Sequence, residues 1–182
     1  QIEDNKKSIA QLNKMIDDII KEEIAKLAAA KKASVVAATP AASILAESFA
    51  ANKGKLPWPV EEGFVTQDYG KQQHPVWKNV TTDNKGVDIQ TNSSQKVRTV
   101  FEGEVSKVAQ IPGLGKMVMV RHGDYFTVYT KLKDVYVQMG QKVNTKDELG
   151  TVLTDNEGVS EVKFSVWKNS ESMNPKLWLN PR

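Results

Sequence analysis

Histidines, carboxylates and lysines are the groups through which this chain could do chemistry, and the histidines are scarce. There are two, His74 and His122, in 182 residues, and there is no cysteine. A catalytic zinc takes three protein ligands from His, Cys, Asp or Glu and keeps an open position for water. Without cysteine there is no thiolate ligand, no disulfide and no cysteine nucleophile. His74 precedes Pro75 in a loop, and His122 stands at a hairpin turn before Gly123. Both read as structural or solvent-facing residues rather than ligands.

The elements that would position such groups are unevenly distributed. Hydrophobic residues make up 40% of the chain and charged residues 26%, enough for most of it to fold. No apolar run reaches the roughly 18 to 20 residues of a membrane span. A net charge of +3, with acids and bases interspersed, argues against a nucleic-acid binder. The sequence opens on Gln1 with no basic-then-apolar leader. It is therefore expected to be a processed product or a piece of a longer protein, and says nothing against export.

Residues 1–30 read as a helix. Ile2, Ile9 and Ile16 repeat every seven, with Leu12 and Ile19 at the second position, before the stripe drifts to Ile20, Ile24 and Leu27. This predicts the C-terminal part of a coiled-coil arm. Asn5 and Glu23 interrupt the seam, and the alternative is an amphipathic helix lying on a globular core. Residues 31–55 read as a linker with a short helix, N-capped by Thr39, with Pro40 at its first position and Asn52-Lys53-Gly54 as its stop. Its apolar face carries Ile44, Leu45 and Phe49.

Residues 56–182 hold every aromatic except Phe49 and should contain the core. Strands are expected over Val97–Val105, Lys116–Arg121, Tyr125–Tyr129, Val135–Val137, Leu149–Leu153 and Val162–Trp167. His122-Gly123-Asp124 forms a hairpin turn. Short strands with glycine-bearing turns predict a mainly β domain, a barrel or sandwich.

The ordered motifs of residues 56–179 resemble the lysostaphin-type, or LytM, zinc endopeptidase domain. Asp68-Tyr69-Gly70 and His74-Pro75-Val76 resemble its opening stretch. Asn84-Lys85-Gly86-Val87-Asp88-Ile89 lies on H-x-G-x-D-[IL], and Val100-Phe101-Glu102-Gly103-Glu104-Val105 resembles V-x-A-x-G-x-V. Val128 to Leu132 lies on x-Y-x-H-L, Val137 to Val143 on V-x-x-G-x-x-V, and Glu161-Val162-Lys163-Phe164 on H-x-H-F. Asn174-Pro175 and Trp178-Leu179 close it.

The resemblance implies where metal and catalytic groups would sit: Asn84, Asp88 and Lys163 at the ligand positions, Lys131 and Glu161 at the assisting histidines. Only Asp88 keeps the family's residue type. Lysine ammoniums have no lone pair and repel a dication. A degenerate active site is expected, with no metal, no cofactor and no peptidase activity. Lys163 is expected to stand in for the cation beside Asp88, and Lys131 to pair with Glu161; independent drift into solvent is the alternative.

A coiled coil ahead of a degenerate LytM domain resembles the EnvC-type murein hydrolase activators. That resemblance implies a periplasmic or envelope protein without enzymatic activity. It would switch on a peptidoglycan amidase by gripping the amidase's helix in the degenerate groove during cell separation. The coiled coil would engage an FtsE–FtsX-type membrane complex. Tyr125, Tyr129, Lys131, Lys163 and Trp167 are candidate groove residues, with core packing the alternative for each aromatic. The helix carrying Ile44, Leu45 and Phe49 is either a regulatory plug or a linker packed on the domain's flank. The competing functions are an inert cell-wall-binding module and a metallohydrolase with a rearranged site.

Overall fold

A computed structural model describes residues 2–33, 40–73, 79 and 81–181. Among the described residues two α-helices, α1 (Ile2–Ala33) and α2 (Pro40–Ala51), precede twelve strands. In chain order these are β1 (Phe64–Gln67), β2 (Gly70–Gln73), β3 (Thr81–Asn84), β4 (Val87–Thr91), β5 (Lys96–Arg98) and β6 (Gly103–Ile111). They continue as β7 (Gly115–His122), β8 (Tyr125–Val135), β9 (Lys142–Val143), β10 (Glu148–Val152), β11 (Ser160–Lys168) and β12 (Glu171–Met173). Among the described residues ten strands share one antiparallel sheet, whose spine runs β1-β4-β11-β8-β7-β6-β9. β10 joins β5 to β8, β12 flanks β11, and β2 and β3 form a separate pair.

The hairpin expected at His122 forms with its register closed by the pair His122↔Tyr125. Gly123 at φ +71 makes the tight turn that a side chain would strain. The expected strand over Val97–Val105 is instead divided between β5 and β6. Its middle is drawn into the core: the Val100 amide donates to the Tyr129 hydroxyl at 2.9 Å rather than to a neighbouring strand. β1 to β4 are strands that the apolar pattern did not announce.

Because side chains alternate across a strand, the sheet separates two apolar layers. One contains Val87, Ile89, Val118, Val120, Tyr129, Val162, Phe164 and Val166. The other contains Ile111, Met117, Met119, Phe126, Val128 and Trp167, and α1 lies over it through Ile16, Ile20 and Ile24. Each isoleucine so covered contributes on the order of 1.5 to 3 kcal/mol relative to exposure. This is the packing of an amphipathic helix on a sheet, not a seam against another helix, over the half of α1 whose side chains are described. The side chains of Ile2, Ile9 and Leu12 lie outside the described residues, as do Thr39, the 34–38 stretch and His74-Pro75-Val76.

Helix α2 packs on the first layer. Phe49 is fully buried there, stacked on Trp178 at 5.0 Å and His122 at 4.8 Å between ring centroids. Gly54 ends the helix at φ +79, and its amide and that of Leu56 both donate to the Trp178 carbonyl. No described helix is long and apolar enough to cross a membrane.

Candidate functional site

The central strands bring the five degenerate positions together. β11 pairs with β4 so that Lys163 stands opposite Asp88 and Glu161 opposite Gln90. On its other side Lys163 stands opposite Thr130 of β8. Alternation along β11 then puts Glu161, Lys163, Ser165 and Trp167 on one face. Lys131 joins them by breaking the alternation. It sits at φ +69 where the β7–β8 register shifts between Lys116 and Val118. A non-glycine residue in that region costs on the order of 1 kcal/mol.

The cluster's bonds centre on Asp88, whose residue is 4% exposed. Lys131 Nζ donates to Asp88 Oδ1 at 3.2 Å and to Glu161 Oε1 at 2.5 Å. Asn84 Nδ2 donates to Asp88 Oδ2 at 3.1 Å, and Asn84 Oδ1 accepts from the Gly86 amide. Thr66 Oγ1 donates to the second oxygen of Glu161 at 2.8 Å. The expected Lys131–Glu161 pair forms, and Lys131 also bonds Asp88, opposite which Lys163 stands on β11. The reason is the φ +69 turn, which swings Lys131 between both.

Burial penalises the Lys131 ammonium, but the charges of Asp88 and Glu161 and the hydrogen bonds to both outweigh it, so its pKa rises. Lys163 goes the other way. Burial lowers its pKa, the neighbouring Lys131 charge adds to the effect, and Asp88, Asp17 and Glu161 oppose it.

The donor set does not fit a zinc ion. Both oxygens of the single carboxylate at a ligand position already accept from Lys131 and Asn84. The remaining ligand position is a lysine, a second cation where a dication would have to sit. Among the described residues no group of three His, Cys, Asp or Glu side chains is arranged to hold a metal. His122 is far from this role. It is fully buried, with Nδ1 donating to the Glu102 carbonyl at 2.6 Å. Since that carbonyl can only accept, Nε2 must accept from Thr127 Oγ1 at 2.8 Å. Burial pulls its pKa down to about 4.

Of the aromatics expected in a groove, Trp167 lies on the cluster's face, 1% exposed beneath α1, with Nε1 donating to Ser165 Oγ. Tyr125 and Tyr129 lie on the opposite face, in the first apolar layer. Strand parity decides this, since Tyr129 stands opposite Phe164 and Tyr125 opposite Lys168. Tyr129 is a core residue whose hydroxyl bonds Thr127 and the Val100 amide, and this corrects its place in the groove.

Helix α2 does not lie on this face either. Phe49 anchors it in the opposite layer, Leu45 is partly buried and Ile44 is 63% exposed. The helix that covers the cluster's face is α1. Its Asp17 lies within electrostatic reach of Lys163, Lys85 and Asp83, and burial raises the Asp17 pKa against the pull of those lysines. Glu23, 8% exposed at its side chain, pairs with Lys107 of β6 at 3.9 Å. The sequence signal for this was present as the acid that interrupts the heptad seam.

The fold is that of a peptidase family. The family described as Peptidase family M23 matches residues 82–175, and the chain belongs to it. The chain is similar to the cell division protein DipM of Caulobacter vibrioides, with 33% identity over 116 residues, 63% of this chain and 18% of that protein. It is also similar to stage II sporulation protein Q of Bacillus subtilis, with 30% identity over 126 residues, 64% of this chain and 44% of that protein. The chain thus spans less than half the length of either relative. Among solved structures, the SpoIIQ–SpoIIIAH pore-forming complex matches 70% of this chain and 92% of the matched chain. Its TM-score is 0.59 at 25% identity.

Proposed function

We propose that this chain is a non-enzymatic M23 protein of the bacterial envelope that activates a peptidoglycan amidase during cell-wall cleavage. The face carrying Asp88, Lys131 and Lys163 receives a helix of the amidase. The observation that carries this reading is the state of Asp88. Its two oxygens are bonded by a lysine and an amide, so the site favours a cationic lock over a metal-bound nucleophile. The same face has an apolar floor that already accommodates a helix. A relative named for cell division and another solved in complex with a second protein support a protein-binding role.

The resting cover in this reading is α1, in place of the helix at 40–51 that the apolar pattern of Ile44, Leu45 and Phe49 suggested. The heptad stripe of Ile2, Ile9 and Leu12 in the sequence would engage the FtsE–FtsX-type membrane complex. Such engagement would draw α1 off the sheet, and a differential of a few kcal/mol is enough to switch the populations.

The test is release of muropeptides from isolated sacculi. The chain alone should release none, and adding it to a periplasmic amidase should raise that enzyme's output. Release by the chain alone would overturn the proposal. Tight binding to sacculi with no effect on any amidase would replace it with the cell-wall-binding reading.

A further inference from the structure

The buried contents of the α1 interface say more than that a helix fits there. Ile16, Ile20 and Ile24 recur at i, i+4 and i+8 and enter the layer of Met117, Met119, Phe126, Val128 and Trp167. Asp17 and Glu23 fall at i+1 and i+7. Asp17 borders the stripe on the side of the degenerate cluster, in reach of Lys163 and Lys85. Glu23 lies inside the stripe, almost wholly covered, 3.9 Å from Lys107. Its neighbours on the outer surface of the helix, Met15, Asp18, Lys21 and Glu22, are exposed. An acid set among isoleucines on a buried surface is costly unless a cation meets it; Lys107 meets Glu23, and Asp17 lies in the field of Lys163 and of Lys85, the latter already paired with Asp83 at 2.8 Å.

We propose that this face selects amphipathic helices with branched apolar side chains at i, i+4 and i+8 and carboxylates at i+1 and i+7, and that α1 is the chain's own copy of that ligand. The inference rests on the reading of the face as a partner-binding surface and specifies the partner's chemistry. The apolar floor supplies the affinity. Lys163 with Lys85 at one end, and Lys107 at the other, fix direction and register, since a reversed helix would leave both acids facing no cation. Charge placement of this kind discriminates between partners more than it adds affinity.

The probe is a fluorescent synthetic peptide with the sequence of residues 11–28. The receptor is the full chain with Ile20→Ser and Ile24→Ser, which loosen its own α1. Fluorescence anisotropy should show saturable binding. A peptide carrying Asp17→Lys and Glu23→Lys should bind at least about tenfold more weakly. A receptor that also carries Lys107→Glu should recover a peptide with Glu23→Lys alone. Equal affinity for the native and charge-reversed peptides would overturn the inference.

Should the loosened receptor fail to fold, hydrogen exchange on the otherwise native chain reads the same property. Glu23→Lys should speed exchange of the Ile16–Leu27 amides, and adding Lys107→Glu should slow it again. Unchanged exchange in Glu23→Lys would overturn the inference. Neither readout contains an amidase, so failure of amidase stimulation would sink the functional reading while leaving this selectivity standing.

Discussion

Lys131 Nζ stands 3.2 Å from Asp88 Oδ1, where its charge neutralises a carboxylate buried among the central strands. The same ammonium reaches Glu161, so one side chain holds two acids. Removing it leaves the two acids sharing the charge of Lys163 in a partly dry site. Lys131→Met should lower stability by about 2 kcal/mol. This is less than for a fully buried pair because the lysine side chain is still 25% exposed. Adding Asp88→Asn should recover part of that loss, as urea denaturation of the single and double variants would show. A double variant no more stable than Lys131→Met would mean that Asp88 does not depend on this lysine.

The raised Lys131 pKa gives that contribution a pH window. A group with a folded value above its unfolded value stabilises fully below the ordinary lysine range. The contribution is then lost as pH rises through the higher folded value. Between neutral pH and the lysine range the Lys131→Met deficit should stay constant. It should shrink only in more alkaline solution, which parallel denaturation series would reveal.

His122 predicts the opposite limb. With a folded value near 4 against an ordinary 6.5, the unfolded chain takes up the proton first. Stability is full above the ordinary value and falls as pH drops toward the folded one, by about 3 kcal/mol in all. Protonating Nε2 would also turn an N–H toward Thr127 Oγ1, which itself accepts from the Tyr129 hydroxyl. His122→Gln should be less stable at neutral pH but should show a flatter acid limb. An acid limb equally steep in that variant would place the titrating group elsewhere.

Phe49 distinguishes an anchor from a plug. It stacks on His122 and Trp178 and meets Phe101 edge-on. Phe49→Ala should cost about 3 to 5 kcal/mol, with no gain in amidase stimulation at temperatures where the variant remains folded. Ile20→Ser in α1 should do the reverse: a smaller loss of global stability and a rise in stimulation. Stimulation by Phe49→Ala with α1 left protected from hydrogen exchange would return the regulatory role to α2.

The degenerate cluster was legible in the sequence because motif spacing survives when ligands do not. Asn84, Asp88, Lys131, Glu161 and Lys163 meet as their alignment on the family's motifs implied. The Lys131–Glu161 pair was expected from the sequence; the added bond from Lys131 to Asp88 was not legible, since it depends on the positive φ at Lys131, and no spacing rule announces a bulge there. The aromatics divided by strand parity. With the register in hand, Trp167 falls with Lys163, and Tyr125 and Tyr129 fall on the far side. Sequence alone shows three rings near a motif.

Strands β1 to β4 were missed because their residues are largely polar. β4 is buried at Val87, Asp88 and Ile89, yet its acid hides a central strand from an apolar-pattern reading. The heptad in α1 predicted a coiled coil, but over the described half of the helix Ile16, Ile20 and Ile24 pack on the sheet, since a stripe of isoleucines fits a sheet as well as a helix. Glu23 was the residue that could have decided between them.

The account stands on the claim that the Asp88 site holds a protein cation instead of zinc. Equilibrium dialysis of the purified chain against micromolar zinc, followed by elemental analysis, tests it most directly. The prediction is no saturable binding that depends on Asp88, with identical metal content in the native chain and Asp88→Ala. One zinc per chain, lost in Asp88→Ala, would contradict it.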